Sequence, residues 1–167
     1  MKDLIYNQRN IPKDQWRYGF RSSAATGCGW IAIHNALRIL GYSMDTEALI
    51  RACERQLPLI HGNAGTAFWG PAALFLRWGF PVEVCTDRSE FDAFAGRQDV
   101  CILYYFWHKN YRMGAHFVCL HQKDGEFIGY NTYRNSTGAD HYGKSLQEFL
   151  KQKKYFGPIL IGIRDKR

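Results

Sequence analysis

Residues 26–41 read TGCGWIAIHNALRILG. Apolar side chains recur in this stretch at the spacing of one helix face, as the following residues show: Ile33, Ala36, Leu37 and Leu40. Gly41 comes directly after the last apolar position and supplies a stop signal. The pattern predicts a helix over residues 30–40 that buries one face, with Cys28 at its first turn.

Two more helices are predicted in the first half of the chain. Asp45 has the position of a helix cap, and the apolar pattern that follows it extends to about Arg55. Gly70 and Pro71 begin the third helix, because proline is accepted in a first turn, and Gly79 follows its end. The chain before the first of these helices has no regular period and is predicted to be mostly irregular.

The second half of the chain has the patterns of strands. Strands are predicted over residues 81–85, 100–107, 115–121, 126–131 and 158–163. Lys-Asp-Gly at residues 123–125 supplies a hairpin turn between the third and the fourth. Ser89 with Asp92, and Ser145 with Glu148, resemble capping boxes that begin two short helices. Helices followed by a mostly antiparallel sheet indicate an α+β fold.

The composition is typical of a folded chain of ordinary domain size. Of the 167 residues, 46% are hydrophobic and 22% are charged, and no linker or repeat divides them. Residues 1–167 are therefore predicted to form one domain with a hydrophobic core. The formal net charge is +7, but the lysines and arginines are scattered along the chain. We interpret this charge as a solvated basic surface and predict no nucleic-acid partner.

The five cysteines have neither a disulfide nor a metal-binding pattern. No two of them have CxxC spacing, and no cysteines and histidines have structural-zinc spacing, so no metal and no cofactor are predicted. The N-terminus lacks the apolar segment of a signal peptide, and no apolar stretch reaches membrane-spanning length. We therefore predict a reduced, cytoplasmic protein with no membrane partner, although a removed leader would leave no trace in this sequence.

Cys28 has the local setting of a nucleophile. The free N–H groups and the positive dipole end at a helix start favour a thiolate over a thiol. Gly27 and Gly29 leave room for a substrate carbonyl beside the sulfur. The other cysteines lack this setting, and three of them lie in apolar runs, where cysteine behaves as a small hydrophobic residue.

A nucleophilic cysteine needs a base, and His116 is the preferred candidate among the six histidines. It lies near the start of a predicted strand, after the small residues Gly114 and Ala115, which give access to its ring. His121 is five positions farther along that strand and points to the opposite face. The remaining histidines have less suitable positions: His34 on the polar side of the first helix, His108 at a strand end, and His61 and His141 in loops.

Asn131 is the candidate for orienting His116. Fifteen residues separate the two, and the hairpin turn between them brings the start of one strand beside the end of the next. An Asn carbonyl at that place accepts the N–H of the imidazole and holds its orientation. Taken alone, Asn131 fits a turn residue at a strand end equally well, and its pairing with His116 favours the catalytic role.

In order and spacing, most of the chain resembles the C39-like peptidases of the papain-like clan. The matching segments are Tyr6-Asn7-Gln8, Arg17-Tyr18-Gly19, the run SSAATGCG at residues 22–29, the strand with Gly114-Ala115-His116, and Asn131. The resemblance implies a papain-like fold, with the nucleophile helix of an N-terminal helical part packed on a mostly antiparallel sheet. It also implies thiol-dependent hydrolysis of a peptide or small amide substrate through an acyl-enzyme on Cys28, with His116 as general base.

The resemblance further implies that Gln8 donates a side-chain N–H to the oxyanion hole, beside the backbone N–H of Cys28. Gln15 is the rival for this role because it lies closer to Cys28 in the sequence. Two residues depart from the family pattern. Asn131 replaces the more usual aspartate, and Trp30 stands where proline is common, which predicts a narrowed cleft or an indole wall for the substrate.

Two alternatives to hydrolysis follow from the same residues. The triad would also serve acyl transfer, with an amine or thiol in place of water. The fold would also serve as a binding module with an idle triad. Most of the aromatic segment at residues 104–108 is predicted to be a core strand, and only Trp107 and Tyr111 are possible members of a substrate groove.

Overall fold

The computed structural model describes residues 3–55, 65–109 and 112–167. Its helices are α1 (Ser23–Thr26), α2 (Cys28–Ile39), α3 (Thr46–Arg55), α4 (Gly70–Arg77), α5 (Phe91–Gly96) and α6 (Leu146–Lys153). Its strands are β1 (Arg17–Tyr18), β2 (Arg21–Ser22), β3 (Val82–Cys85), β4 (Val100–Lys109), β5 (Arg112–Lys123), β6 (Glu126–Tyr130), β7 (Asp140–Gly143) and β8 (Phe156–Ile163). None of the described helices is long and apolar enough to cross a membrane.

Six strands form one sheet in the order β3-β8-β4-β5-β6-β7, and each neighbouring pair is antiparallel. β1 and β2 form a separate two-stranded pair. The sequence pattern predicted neither this pair nor β7. The prediction of an α+β fold is confirmed: helices α1 to α4 precede a sheet into which α5 and α6 are inserted.

Helices cover both faces of the sheet. On one face, α2 packs on β4 and β5 through fully buried side chains, including Trp30, Ile31 and Phe117. On the other face, α5 and α6 enclose a second apolar cluster. Burial of each large apolar side chain contributes roughly 1.5–3 kcal/mol, so the α2 face is a major source of stability.

Two predicted helix ends, the start of α3 at Asp45 and the end of α2 at Gly41, are confirmed because residues next to each end determine it. The carboxylate of Asp45 accepts the N–H of Ala48 at 2.9 Å, and Gly41 has a φ of 82° after α2. The capping box predicted at Ser89 and Asp92 is wrong. Asp87 accepts the Ser89 N–H at 2.9 Å instead.

Asp92 caps a different helix, because tertiary packing brings α5 against the start of α6. Its carboxylate accepts the N–H of Leu146 at 2.6 Å and the hydroxyl of Ser145 at 2.7 Å. A carboxylate near the N-terminus of a helix satisfies N–H groups that have no partner within that helix. Asp92 therefore connects two helices that are distant in the sequence.

The prediction that His34 lies on a polar helix side is also wrong. His34 is 5% exposed, and its Nε2 lies 2.8 Å from the carbonyl oxygen of Asp3. The neighbouring Asn35 accepts the N–H of Ile5 and donates to its carbonyl, both at 2.9 Å. These buried polar side chains fasten the N-terminal segment to α2, which explains their place on a helix without a solvated face.

Substitution of Gly29 tests the close contact at the start of α2. A Cβ atom on Gly29 would overlap the side chain of Thr66, whose hydroxyl lies 2.9 Å from that of Tyr18. We expect Gly29→Ala to lower the free energy of unfolding by about 1–3 kcal/mol in urea denaturation, although alanine is the better helix former. Gly96→Ala in α5 is the matched control, because its nearest neighbouring atom lies 3.9 Å away. Equal stability of the two variants would contradict this prediction.

Candidate active site

Cys28 is the first residue of α2 and is partly exposed. Burial raises the pKa of its thiol, and the backbone N–H groups of Phe117, Gly29 and Cys28 itself oppose this rise. The two N–H groups of the helix start therefore face the sulfur, as the sequence predicts. Their effect on the pKa is smaller than that of burial, so the setting favours the protonated thiol.

His116 lies on β5 opposite Tyr105 of β4, in a partly buried position. Its Nε2 lies 2.6 Å from the main-chain oxygen of Asn131, which assigns the ring proton to Nε2. Nδ1 has no hydrogen-bond partner among the residues that the structure describes. The next residue along β5, Phe117, directs its N–H to the sulfur of Cys28, so the thiol lies against the strand that carries His116.

The environment of His116 favours the neutral imidazole. Burial lowers its pKa, and the charge of Arg134 acts in the same direction. The hydrogen bond to Asn131 acts in the opposite direction, because it stabilises the protonated ring. A raised thiol pKa and a lowered imidazole pKa together favour an uncharged pair at rest.

Asn131 follows β6 and is 2% exposed, with a φ of 62°. The sequence predicts an Asn carbonyl as the partner of His116, and the structure places the main-chain carbonyl there. The side-chain amide of Asn131 is directed to Gln8 instead. Its Oδ1 accepts the backbone N–H of Gln8 at 2.8 Å, and its Nδ2 donates to Gln8 Oε1 at 3.1 Å.

Gln8 completes this group from the N-terminal segment. Its Nε2 donates to the carbonyl of Ala24 in α1 at 3.1 Å, which leaves one hydrogen on that nitrogen. The rival Gln15 has an exposed side chain on a turn. The structure thus joins Gln8 to Asn131, and Asn131 to His116, by hydrogen bonds.

The other histidines of the described chain lie apart from this group. His108 is exposed at the end of β4, His121 stacks on Tyr130 with ring centroids 5.7 Å apart, and His141 is exposed and lies 3.0 Å from Glu126. His61 lies outside the described residues. Over the ranges 3–55, 65–109 and 112–167, no group of three or more His, Cys, Asp or Glu residues is able to hold a metal ion.

Aromatic side chains border the site on the α2 face of the sheet. Burial, and after it the nearby sulfur of Cys28, raises the pKa of Tyr104. Its ring centroid lies 6.2 Å from that of Phe68, which is 44% exposed and is in edge contact with the equally exposed Trp69. The sequence pattern did not single out Phe68 and Trp69, because large apolar side chains are on average buried and nothing local marks these two as exposed. Together they offer an apolar surface near the sulfur.

The aromatic residues singled out from the sequence have different positions. Trp30 forms no wall of a cleft: it is fully buried, and its indole N–H donates to the hydroxyl of Ser23 at 3.1 Å. A large apolar ring with one N–H gains more from burial with a partner than from exposure. Trp107 is partly exposed and covers Gly114, two residues before His116. Tyr111 lies outside the described residues.

Comparison with known proteins identifies a shared fold. No family model matches the chain, and no curated protein matches it in sequence. Among solved structures, it is similar to the peptidase domain of Streptococcus ComA, a bi-functional ABC transporter involved in a quorum-sensing pathway. The sequence identity is 13% and the TM-score is 0.55, and the match covers 83% of this chain and 91% of that domain. At this identity, the likeness shows that the two chains have similar folds.

Proposed function

We propose that this protein is a papain-like, C39-like cysteine peptidase or amidase with Cys28 as nucleophile and His116 as general base. The observation that carries the proposal is the position of the Cys28 sulfur against the N–H of the residue after His116. Nε2 of His116 is held 2.6 Å from the main-chain oxygen of Asn131, which leaves Nδ1 as the nitrogen proposed to take the thiol proton. The fold shared with a peptidase domain supports the same reaction class.

In the proposed reaction, Nδ1 of His116 takes the thiol proton as the sulfur attacks the substrate carbonyl carbon. The C–N bond then breaks, and His116 returns the proton to the leaving amine. Water attacks the resulting thioester on Cys28 and gives a proton to His116, and the acid and the thiol are released. The uncharged resting pair suits this sequence, since His116 becomes charged only as the bond to sulfur forms.

The oxyanion formed in each attack is proposed to accept the backbone N–H of Cys28. The remaining Nε2 hydrogen of Gln8 is the proposed second donor. One such donor contributes about 100–1,000-fold to the rate in other acyl-transfer enzymes. The proposed substrates are peptides or small amides, and the proposed chemistry uses no metal or cofactor. Acyl transfer to an amine would share every step up to the thioester.

Alkylation by iodoacetamide tests whether His116 activates Cys28. Burial alone would make Cys28 less reactive than Cys85, the other partly exposed cysteine of the described chain. We expect Cys28 to be alkylated faster than Cys85 at pH 7, and His116→Ala to slow only Cys28, by about tenfold or more. Peptide mass spectrometry measures both rates in one sample, with Cys85 as the internal control. Similar rates that do not depend on His116 would refute the activation.

Substitution of the nucleophile distinguishes a peptidase from a binding module. On a fluorogenic peptide that the unchanged chain cleaves, we expect Cys28→Ala to abolish turnover and His116→Ala to reduce kcat by at least about 1,000-fold. Circular dichroism should show that both variants keep the fold. Gln15→Ala should retain full activity, because that side chain is exposed. Cleavage by Cys28→Ala at the parent rate would exclude the proposed nucleophile.

The pH profile tests the state of the base. His116 must be neutral to accept the thiol proton. Because its pKa is lowered, the ring stays neutral at pH values somewhat below about 6.5, the ordinary pKa of histidine. We therefore expect kcat/KM to rise with pH through an apparent pKa below about 6.5 and to stay high above it. Stopped assays on one peptide between pH 4 and 9 measure this limb. An apparent pKa above 6.5 would be inconsistent with His116 as the titrating base.

A further inference from the structure

Among the residues that the structure describes, the side-chain amide of Asn131 is hydrogen-bonded to Gln8 and not to His116. Both its oxygen and its nitrogen are hydrogen-bonded to Gln8, at 2.8 and 3.1 Å. These two bonds form a closed pair between a buried residue at the end of β6 and a residue 123 positions earlier. The hydrogen bond between Asn131 and the imidazole uses the main-chain oxygen of Asn131, which lies 2.6 Å from Nε2.

The main-chain carbonyl of Asn131 depends on a backbone conformation that is uncommon for residues other than glycine. A φ of 62° lies in the left-handed region, which asparagine tolerates better than most residues. A buried residue in this region needs surrounding contacts that hold it. The paired bonds to Gln8 are such contacts. They hold the side-chain amide of Asn131 in one position, and this restrains the backbone of the same residue and the direction of its main-chain carbonyl.

Gln8 is itself fixed by the helix that carries Cys28. Asn35 of α2 holds both main-chain polar groups of Ile5, and His34 holds the carbonyl of Asp3. The Gln8 amide nitrogen is bonded to Ala24, in the turn that leads to Cys28. The N-terminal segment thus connects the nucleophile helix to the residue that holds the base.

We propose that Asn131 orients His116 through its main-chain carbonyl, and that Gln8 is the positioning residue that holds this carbonyl in place. This proposal rests on the proposed function only where it says that the orientation of His116 matters for catalysis. The contact it describes exists whether or not the protein turns over a substrate. Nuclear magnetic resonance of His116 therefore tests it without a substrate.

The test is a pH titration of the ¹⁵N-labelled His116 ring in the whole chain. In the unchanged protein, we expect the neutral ring to carry its proton on Nε2. Gln8→Ala and Asn131→Gly should each weaken this preference and lower the pKa of His116 by about half a pH unit or more, since the bond to Asn131 raises it. The charge of Arg134 also acts on His116 and the Tyr105 ring lies beside it, and both residues are unchanged in these variants.

Asn131→Gly removes the side-chain pair without backbone strain, because glycine adopts positive φ freely. Gln8→Ala breaks the bond to Gln8 Oε1 and leaves the bond from the Gln8 backbone N–H to Oδ1. If the proposal holds, the effect of Asn131→Gly on the titration should therefore be clearly smaller in the Gln8→Ala background than in the unchanged chain. Gln15→Ala is the control and should leave the titration unchanged. Independent, additive effects of the two substitutions, or an unchanged tautomer and pKa in Gln8→Ala, would overturn the proposal.

Activity supplies a second readout. Asn131→Gly should lower kcat about tenfold with little change in KM, and by a clearly smaller factor when Gln8 is already alanine. The acid limb of the pH profile should move to lower pH in both single variants. If the titration follows the expected pattern while the unchanged chain cleaves nothing, the positioning role stands and the proposed function fails. If the unchanged chain cleaves the peptide and the substitutions leave the titration of His116 unaffected, the proposed function stands and the positioning role fails.

Discussion

Helix α2 packs its apolar side chains against β4 and β5, and the arrangement of the whole candidate site depends on this contact. Trp30 and Ile31 are fully buried there, and the same packing places Cys28 beside the backbone of Phe117. Farther along the helix, Asn35 is hydrogen-bonded to Ile5 and so holds the N-terminal segment against α2. The same segment contains Gln8, which is hydrogen-bonded to Asn131. A single apolar contact thus brings together residues from three separate parts of the chain.

Burial that assembles the site also sets its electrostatics. Removal of the thiol and the imidazole from water penalises the charged form of each, so the pKa of Cys28 rises and that of His116 falls. The N–H groups at the start of α2 oppose this effect on Cys28, as a helix dipole argument predicts, but they do not reverse it. For the proposed reaction, this balance favours transfer of the thiol proton during the attack over a thiolate that exists beforehand.

Local signals in the sequence predicted most of the regular structure. The stop at Gly41, the cap at Asp45 and the hairpin turn at Asp124 and Gly125, both with positive φ, each act over a few residues. Predictions failed where a side chain has a distant partner. Asp92 caps α6 instead of its own helix, and His34 is buried because the N-terminal segment covers it. Periodicity carries no information about such partners.

The sequence by itself determined the order of most helices and long strands, the α+β class and the set of residues with suitable chemistry, because these follow from local spacing and residue type. Only the tertiary structure decided which atoms meet. It brought the main-chain oxygen of Asn131 to His116, turned the side chain of Asn131 to Gln8, and buried Trp30. The physical reason is that Gln8 and Asn131 are 123 residues apart, so only the tertiary packing of the N-terminal segment against the end of β6 brings their hydrogen-bonding groups together.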